Sequence, residues 1–133
     1  MAGEGRVNGF RQAISLLDPE FDVELFRLAD VDRIENLPYL NHIIRSCPTD
    51  IPIGIFAGND ETALGMLQAI YNAEMRNVFV VGCDCTREMR LAVDRNLTTA
   101  LATIDTDIRG QAQKIVQAAC AKMFESWNRN CIR

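Results

Sequence analysis

From Ile53 to Asp84 the chain reads IGIFAGNDETALGMLQAIYNAEMRNVFVVGCD, and this stretch decides the fold. An apolar run ends at Gly58 and is followed by Asn59 and Asp60. Ala63, Leu64, Leu67, Ile70 and Tyr71 then recur at helical spacing, which predicts a helix with one apolar face. A second apolar run, Val78 to Val81, leads into Gly82-Cys83-Asp84. Strand, helix, strand in this order is a βαβ unit, whose crossover makes the two strands parallel. Polar residues collect just past the carboxyl ends of both strands, the edge where ligands bind in open α/β sheets. Asn59 and Asp84 are therefore expected side by side at that edge.

Working outward, Phe10, Ala13, Ile14 and Leu17 put a helix over Arg6 to Leu17, stopped by Asp18-Pro19. Phe21 to Leu28 alternates apolar and polar before breaking at Phe26, which predicts a half-buried edge strand. Ala29 to Arg33 reads as a polar connection. Pro38 fits the first position of the next helix, Tyr39 to Ser46, with Leu40, Ile43 and Ile44 buried. Past the central unit, a helix is expected from Thr86 to about Arg95 and a β-branched strand from Thr98 to Ile104. Asp105 to Asp107 can cap a last helix carrying Ile108, Ala112, Ile115, Val116, Ala119 and Met123 on one side, its apolar face covered by Phe124 and Trp127. The expected fold class is α/β, three layers, with a mostly parallel sheet of four strands.

The 133 residues suit one domain, and 48% hydrophobic with 24% charged residues is ordinary for a globular protein. A net charge of −4 with both signs interspersed argues against direct nucleic-acid contact by this segment. No apolar run reaches membrane-spanning length. Cys47, Cys83, Cys85, Cys120 and Cys131 are an odd set without a regular framework, which favours free thiols and a reducing compartment. With His42 the single histidine and no second cysteine pair, neither a metal site nor any other cofactor is expected. No Ser-His-Asp order, phosphate-binding loop or carboxylate pair supports catalysis.

FAGNDETALGMLQAI and VVGCDCT, with RVNGFRQAI from Arg6 and NLTTALATIDTDIRGQAQKIVQAA, carry a family resemblance. Together they resemble the ribose-binding-protein superfamily: type I periplasmic sugar-binding proteins and the effector-binding domains of lac-repressor-type regulators. The likeness runs from about Arg6 to about Phe124 and covers the family's C-terminal lobe. It implies that a strand normally precedes the first helix, and that residues 107–133 form a helix that packs on a first lobe. MAGEG cannot supply that strand. The expectation is thus a partial lobe of a longer protein, with a missing N-terminal lobe as partner. Exposed edges and an orphan helix face predict a homo-oligomer, such as a homodimer.

Sugars are bound by planar polar groups that hydrogen-bond neighbouring hydroxyls in pairs. Arg6, Asn59 and Asp84 offer a guanidinium, an amide and a carboxylate, at positions where the resemblance implies ligand contact. The plain alternative makes Asn59 a helix cap and Asp84 a turn residue. Val31 stands where the family often has a ring-stacking aromatic, and Cys85 where it usually has glycine. Both departures bear on the pocket. Asp60 is expected to serve the helix N-terminus rather than a ligand. The implied function is half of a sugar or polyol site that senses by lobe closure, with a cytoplasmic transcription regulator slightly preferred on cysteine usage. The alternatives are a transport or sensor-kinase solute receptor outside the cytoplasm, and a non-binding structural or dimerisation module.

Overall fold

The computed structural model describes residues 2–20, 23–29, 32–95 and 99–107, together with 110, 113, 116 and 117. Its elements are α1 (Ala2–Leu17), α2 (Arg33–Ser46), β1 (Ile53–Phe56), α3 (Asp60–Asn72), β2 (Val78–Cys83), α4 (Arg87–Asp94) and β3 (Ala100–Ile104). The strands form one parallel sheet in the order β1-β2-β3. Ile53 pairs with Val78 and Phe56 with Val81, while the β2–β3 register slips by one residue between Val80 and Val81. The fold is α/β with an open parallel sheet and helices on both faces, as expected.

One face is densely packed. Val78 and Val80 of β2 are fully buried against α3, and Leu40 and Ile44 of α2 are fully buried in the same core. Two glycines permit this approach. A methyl group at Gly65 would sit 2.6 Å from Leu40 Cδ1, and one at Gly82 would sit 2.3 Å from Asp60 Oδ1. Neither glycine has positive φ, so the requirement at both is space and not conformation. Across the sheet, α1 is held by Phe10, whose ring stacks on Phe56 at 4.9 Å. Phe79 and Val81 face that side and are only half-buried.

Two expectations need correction. Residues 23–28 form no strand, and Leu25 and Phe26 remain exposed. A strand's hydrogen bonds come from its neighbour, and among the described residues no strand lies beside this segment. The sheet therefore holds three strands among the described residues rather than four. The second correction concerns Pro38, which lies inside α2 and not at its start. The helix begins earlier because Asp32 caps it, its carboxylate accepting from Ile34 N at 2.7 Å and Glu35 N at 3.0 Å. Arg33 adds ion pairs to Glu88 (2.7 Å) and Glu61 (3.9 Å), bridging the start of α2 to α4 and α3. The hydrogen bond to Glu88 raises the Arg33 pKa above its already high ordinary value.

Smaller differences lie at element ends. α1 includes residues before Arg6, β2 extends to Cys83, and β3 starts at Ala100. Thr86 caps α4, accepting from Met89 N. Most of 108–133, including Phe124 and Trp127, lies outside the described residues. No helix among the described residues is long and apolar enough to cross a membrane.

Candidate functional site

The carboxyl edge of the sheet is built from the turn after β1 (Ala57–Asn59), the turn after β2 (Asp84–Thr86) and the end of β3. Parallel pairing brings these turns to the same edge: the last β1–β2 pair is Phe56 with Val81, and β2 runs two residues further, to Cys83. Arg6 reaches the same edge from the first turns of α1. Its guanidinium donates to the Gly58 carbonyl (2.5 Å) and to Asp84 Oδ1 (3.0 Å). The two charged side chains are 29% and 30% exposed, so solvent and ligand can reach them while the pair stays partly desolvated. A partly desolvated charge-assisted contact of this kind is worth more than a fully exposed surface pair.

Asn59 is the cap of α3. Its backbone is extended (φ −154°, ψ 165°) and its Oδ1 accepts from Thr62 N at 2.8 Å. The capping alternative is therefore realised. It does not exclude ligand contact, since capping uses only the amide oxygen and the amide nitrogen can still donate. The resemblance had put Arg6, Asn59 and Asp84 at one site, and the structure adds the direct bonds from Arg6 to Asp84 and Gly58. Arg6 and Asp84 are 78 positions apart, and Arg6 and Gly58 are 52 apart, yet all meet at one edge.

The turn after β2 is conformationally unusual. Asp84 has φ 125° and Cys85 has φ 56°, both in the positive region that L-residues avoid. Glycine, which the resemblance leads one to expect at 85, would take this φ at no steric cost. The Cys85 N–H donates to Thr103 Oγ1 (3.0 Å), and the Thr86 N–H donates to Asp60 Oδ2 (2.7 Å). Thr103 Oγ1 in turn donates to Asp60 Oδ1 (2.6 Å). Asp60 is fully buried, so it does more than sit at a helix N-terminus. The sequence reading missed this role. Its one signal was Gly82 facing an acidic residue across the βαβ unit.

Cys83 is buried beside Arg6, and burial pushes its thiol pKa up while the guanidinium pulls the other way. The thiol is therefore held neutral, which makes it a poor nucleophile. Cys85 is half-buried, His42 is exposed, and Val31 lies outside the described residues. Among the described residues no cluster of His, Cys, Asp or Glu could hold a metal ion. A cavity of about 960 Å³ opens between α1 and the sheet, lined by Phe10, Ile14, Phe56, Phe79, Val81 and Leu101, with Arg6 also on its wall. Its walls are mostly apolar, with Arg6, Asp105 and Thr106 as the charged or hydroxyl-bearing residues among its lining. The polar convergence is at Arg6, Asn59 and Asp84.

Planar hydrogen-bonding groups thus gather at the carboxyl edge of a parallel sheet, the edge at which open α/β sheets bind ligands. No family model matches the chain. It is similar to the ribose import binding protein RbsB of Escherichia coli strain K12, 36% identical over 108 residues, 80% of this chain and 35% of the relative. RbsB of Salmonella typhimurium is 33% identical over 115 residues, 86% and 38% of the respective chains. RbsB of Bacillus subtilis strain 168 is 33% identical over 98 residues, 73% and 30%. The chain thus spans about a third of the length of the curated relatives it matches. These homologues and the open parallel sheet together give the chain a type I periplasmic-binding-protein-like fold. The relatives are named as import binding proteins, which fits the transport expectation and does not speak for the regulator one.

Proposed function

We propose that this chain carries one half of a sugar-binding site in a transport-type solute-binding protein, with Arg6, Asn59 and Asp84 as its hydroxyl-binding groups. The observation that carries this reading is the Arg6–Asp84 pair at 3.0 Å beside the Asn59 amide. A carboxylate accepts two hydroxyl protons, a guanidinium donates in a fixed fork, and the amide supplies a further donor. A pentose presents neighbouring hydroxyls to such groups, and an analogue lacking one would leave a partner unpaired once the site is closed. Ribose is the first candidate because it is the sugar in the relatives' names. A second lobe closing over the ligand would complete the site, and the closed state is what a transporter would read. That reading places the protein outside the cytoplasm.

A lac-repressor-type regulator is the second reading, favoured by the free thiols Cys47, Cys83 and Cys85, which suit a reducing compartment. A signal peptide upstream in the parent gene selects the first reading, and a helix-turn-helix selects the second.

The direct test is a ¹⁵N–¹H correlation spectrum of the chain titrated with D-ribose and other pentoses and hexoses. The series extends to tens of millimolar, since half a site loses several kcal/mol at about 1.4 kcal/mol per tenfold. The expected result is saturable shifts at Arg6, Asn59, Asp84 and their neighbours, strongest with D-ribose and absent in Asp84→Ala. A well-dispersed spectrum that no sugar disturbs would favour a non-binding module.

A further inference from the structure

We propose that Asp60 is a positioning residue for the site: through Thr103 and the backbone of residues 85 and 86, it fixes the turn that aims the Asp84 carboxylate at the ligand. The proposal deepens the sugar-binding reading and rests on it. Its basis is a directional chain of hydrogen bonds. Thr103 Oγ1 accepts from the Cys85 N–H at 3.0 Å and donates its own proton to Asp60 Oδ1 at 2.6 Å. The other carboxylate oxygen accepts from the Thr86 N–H at 2.7 Å. Two successive backbone N–H groups thus converge on a single fully buried carboxylate, one directly and one through a hydroxyl.

The turn needs such support. Asp84 and Cys85 both have positive φ, a conformation that persists in L-residues only where surrounding contacts over-determine it. The network supplies those contacts from the far side of the turn, while Arg6 holds the Asp84 side chain from the ligand side. Asp84 N also donates to Ile104 O at 2.9 Å, so the turn is tied to β3 at both residues 84 and 85. Gly82 leaves the space the carboxylate occupies, since any Cβ there would fall 2.3 Å from Asp60 Oδ1. One residue on α3 therefore fastens together the ends of β2 and β3 behind the candidate site.

Asp60→Asn is the direct variant, but its full burial threatens the fold, so Thr103→Val and Thr103→Ser carry the test. Valine keeps the shape of threonine and removes the hydroxyl, whereas serine keeps the hydroxyl. Two quantities are read for each: the three-bond HN–Hα couplings of Asp84 and Cys85, which report φ, and D-ribose affinity by the titration above. Thr103→Val is expected to shift both couplings and weaken binding about tenfold, with Thr103→Ser close to the parent in both. Equal behaviour of the two variants, or altered couplings with unchanged affinity, would overturn the proposal. A parent chain that no sugar perturbs counts against the sugar reading alone. The couplings then decide by themselves whether the Thr103 hydroxyl holds the turn, and unchanged couplings in Thr103→Val sink it.

Discussion

On the α3 side of the sheet Val78 and Val80 are fully buried, whereas on the α1 side their strand neighbours Phe79 and Val81 line an open groove. The same strand serves both faces, so its propensity cannot be the cause. The difference lies in what covers each face. Two layers of helix, α3 and then α2, close the first. Among the described residues, α1 alone approaches the second, touching it through the Phe10–Phe56 stack and through Arg6. Stability is thus concentrated on one side of the sheet, while the candidate binding groups sit where the thinly covered side meets the carboxyl edge.

The comparison is broken most sharply by cavities. Leu40→Ala empties a fully buried position against Gly65, and is expected to cost about 2–5 kcal/mol in urea denaturation. Phe10→Ala removes more atoms but from a half-buried ring, so a smaller loss of about 1–2 kcal/mol is expected, most of it from the stack on Phe56. Equal losses would show that the two faces contribute alike. Cys85→Gly sharpens the picture at the edge itself. With φ at 56°, glycine relieves strain and should stabilise the chain by about 0.5–1 kcal/mol, read as a higher urea midpoint. A lower midpoint would mean that the cysteine side chain contributes packing that outweighs its backbone strain.

Much of the architecture was legible in the order of residues. The βαβ unit follows from two apolar runs around a helical period, and its shared carboxyl edge follows from the parallel strands that a crossover connection requires. Asn59 and Asp84 could be placed there before any coordinates. The strand expected at 21–28 failed for a reason local pattern does not contain. Alternation says which face of a strand would be buried, but not whether a neighbour exists to take its hydrogen bonds. Pro38 misled in the opposite way. It is a start signal in general, yet the Asp32 cap and the bond from the Asn36 side chain to Asp32 O set the start more than a turn earlier, at Arg33.

By itself, then, the sequence determined the parallel sheet, the helix that crosses it and the polar chemistry at its edge, because hydrophobic period and turn residues are short-range signals. Only the tertiary structure decided that Arg6 pairs with Asp84 across 78 positions, and that Asp60 is buried behind them with two backbone N–H groups converging on it. Those are contacts between distant segments. Their energies depend on burial and geometry that exist only once the strands have aligned.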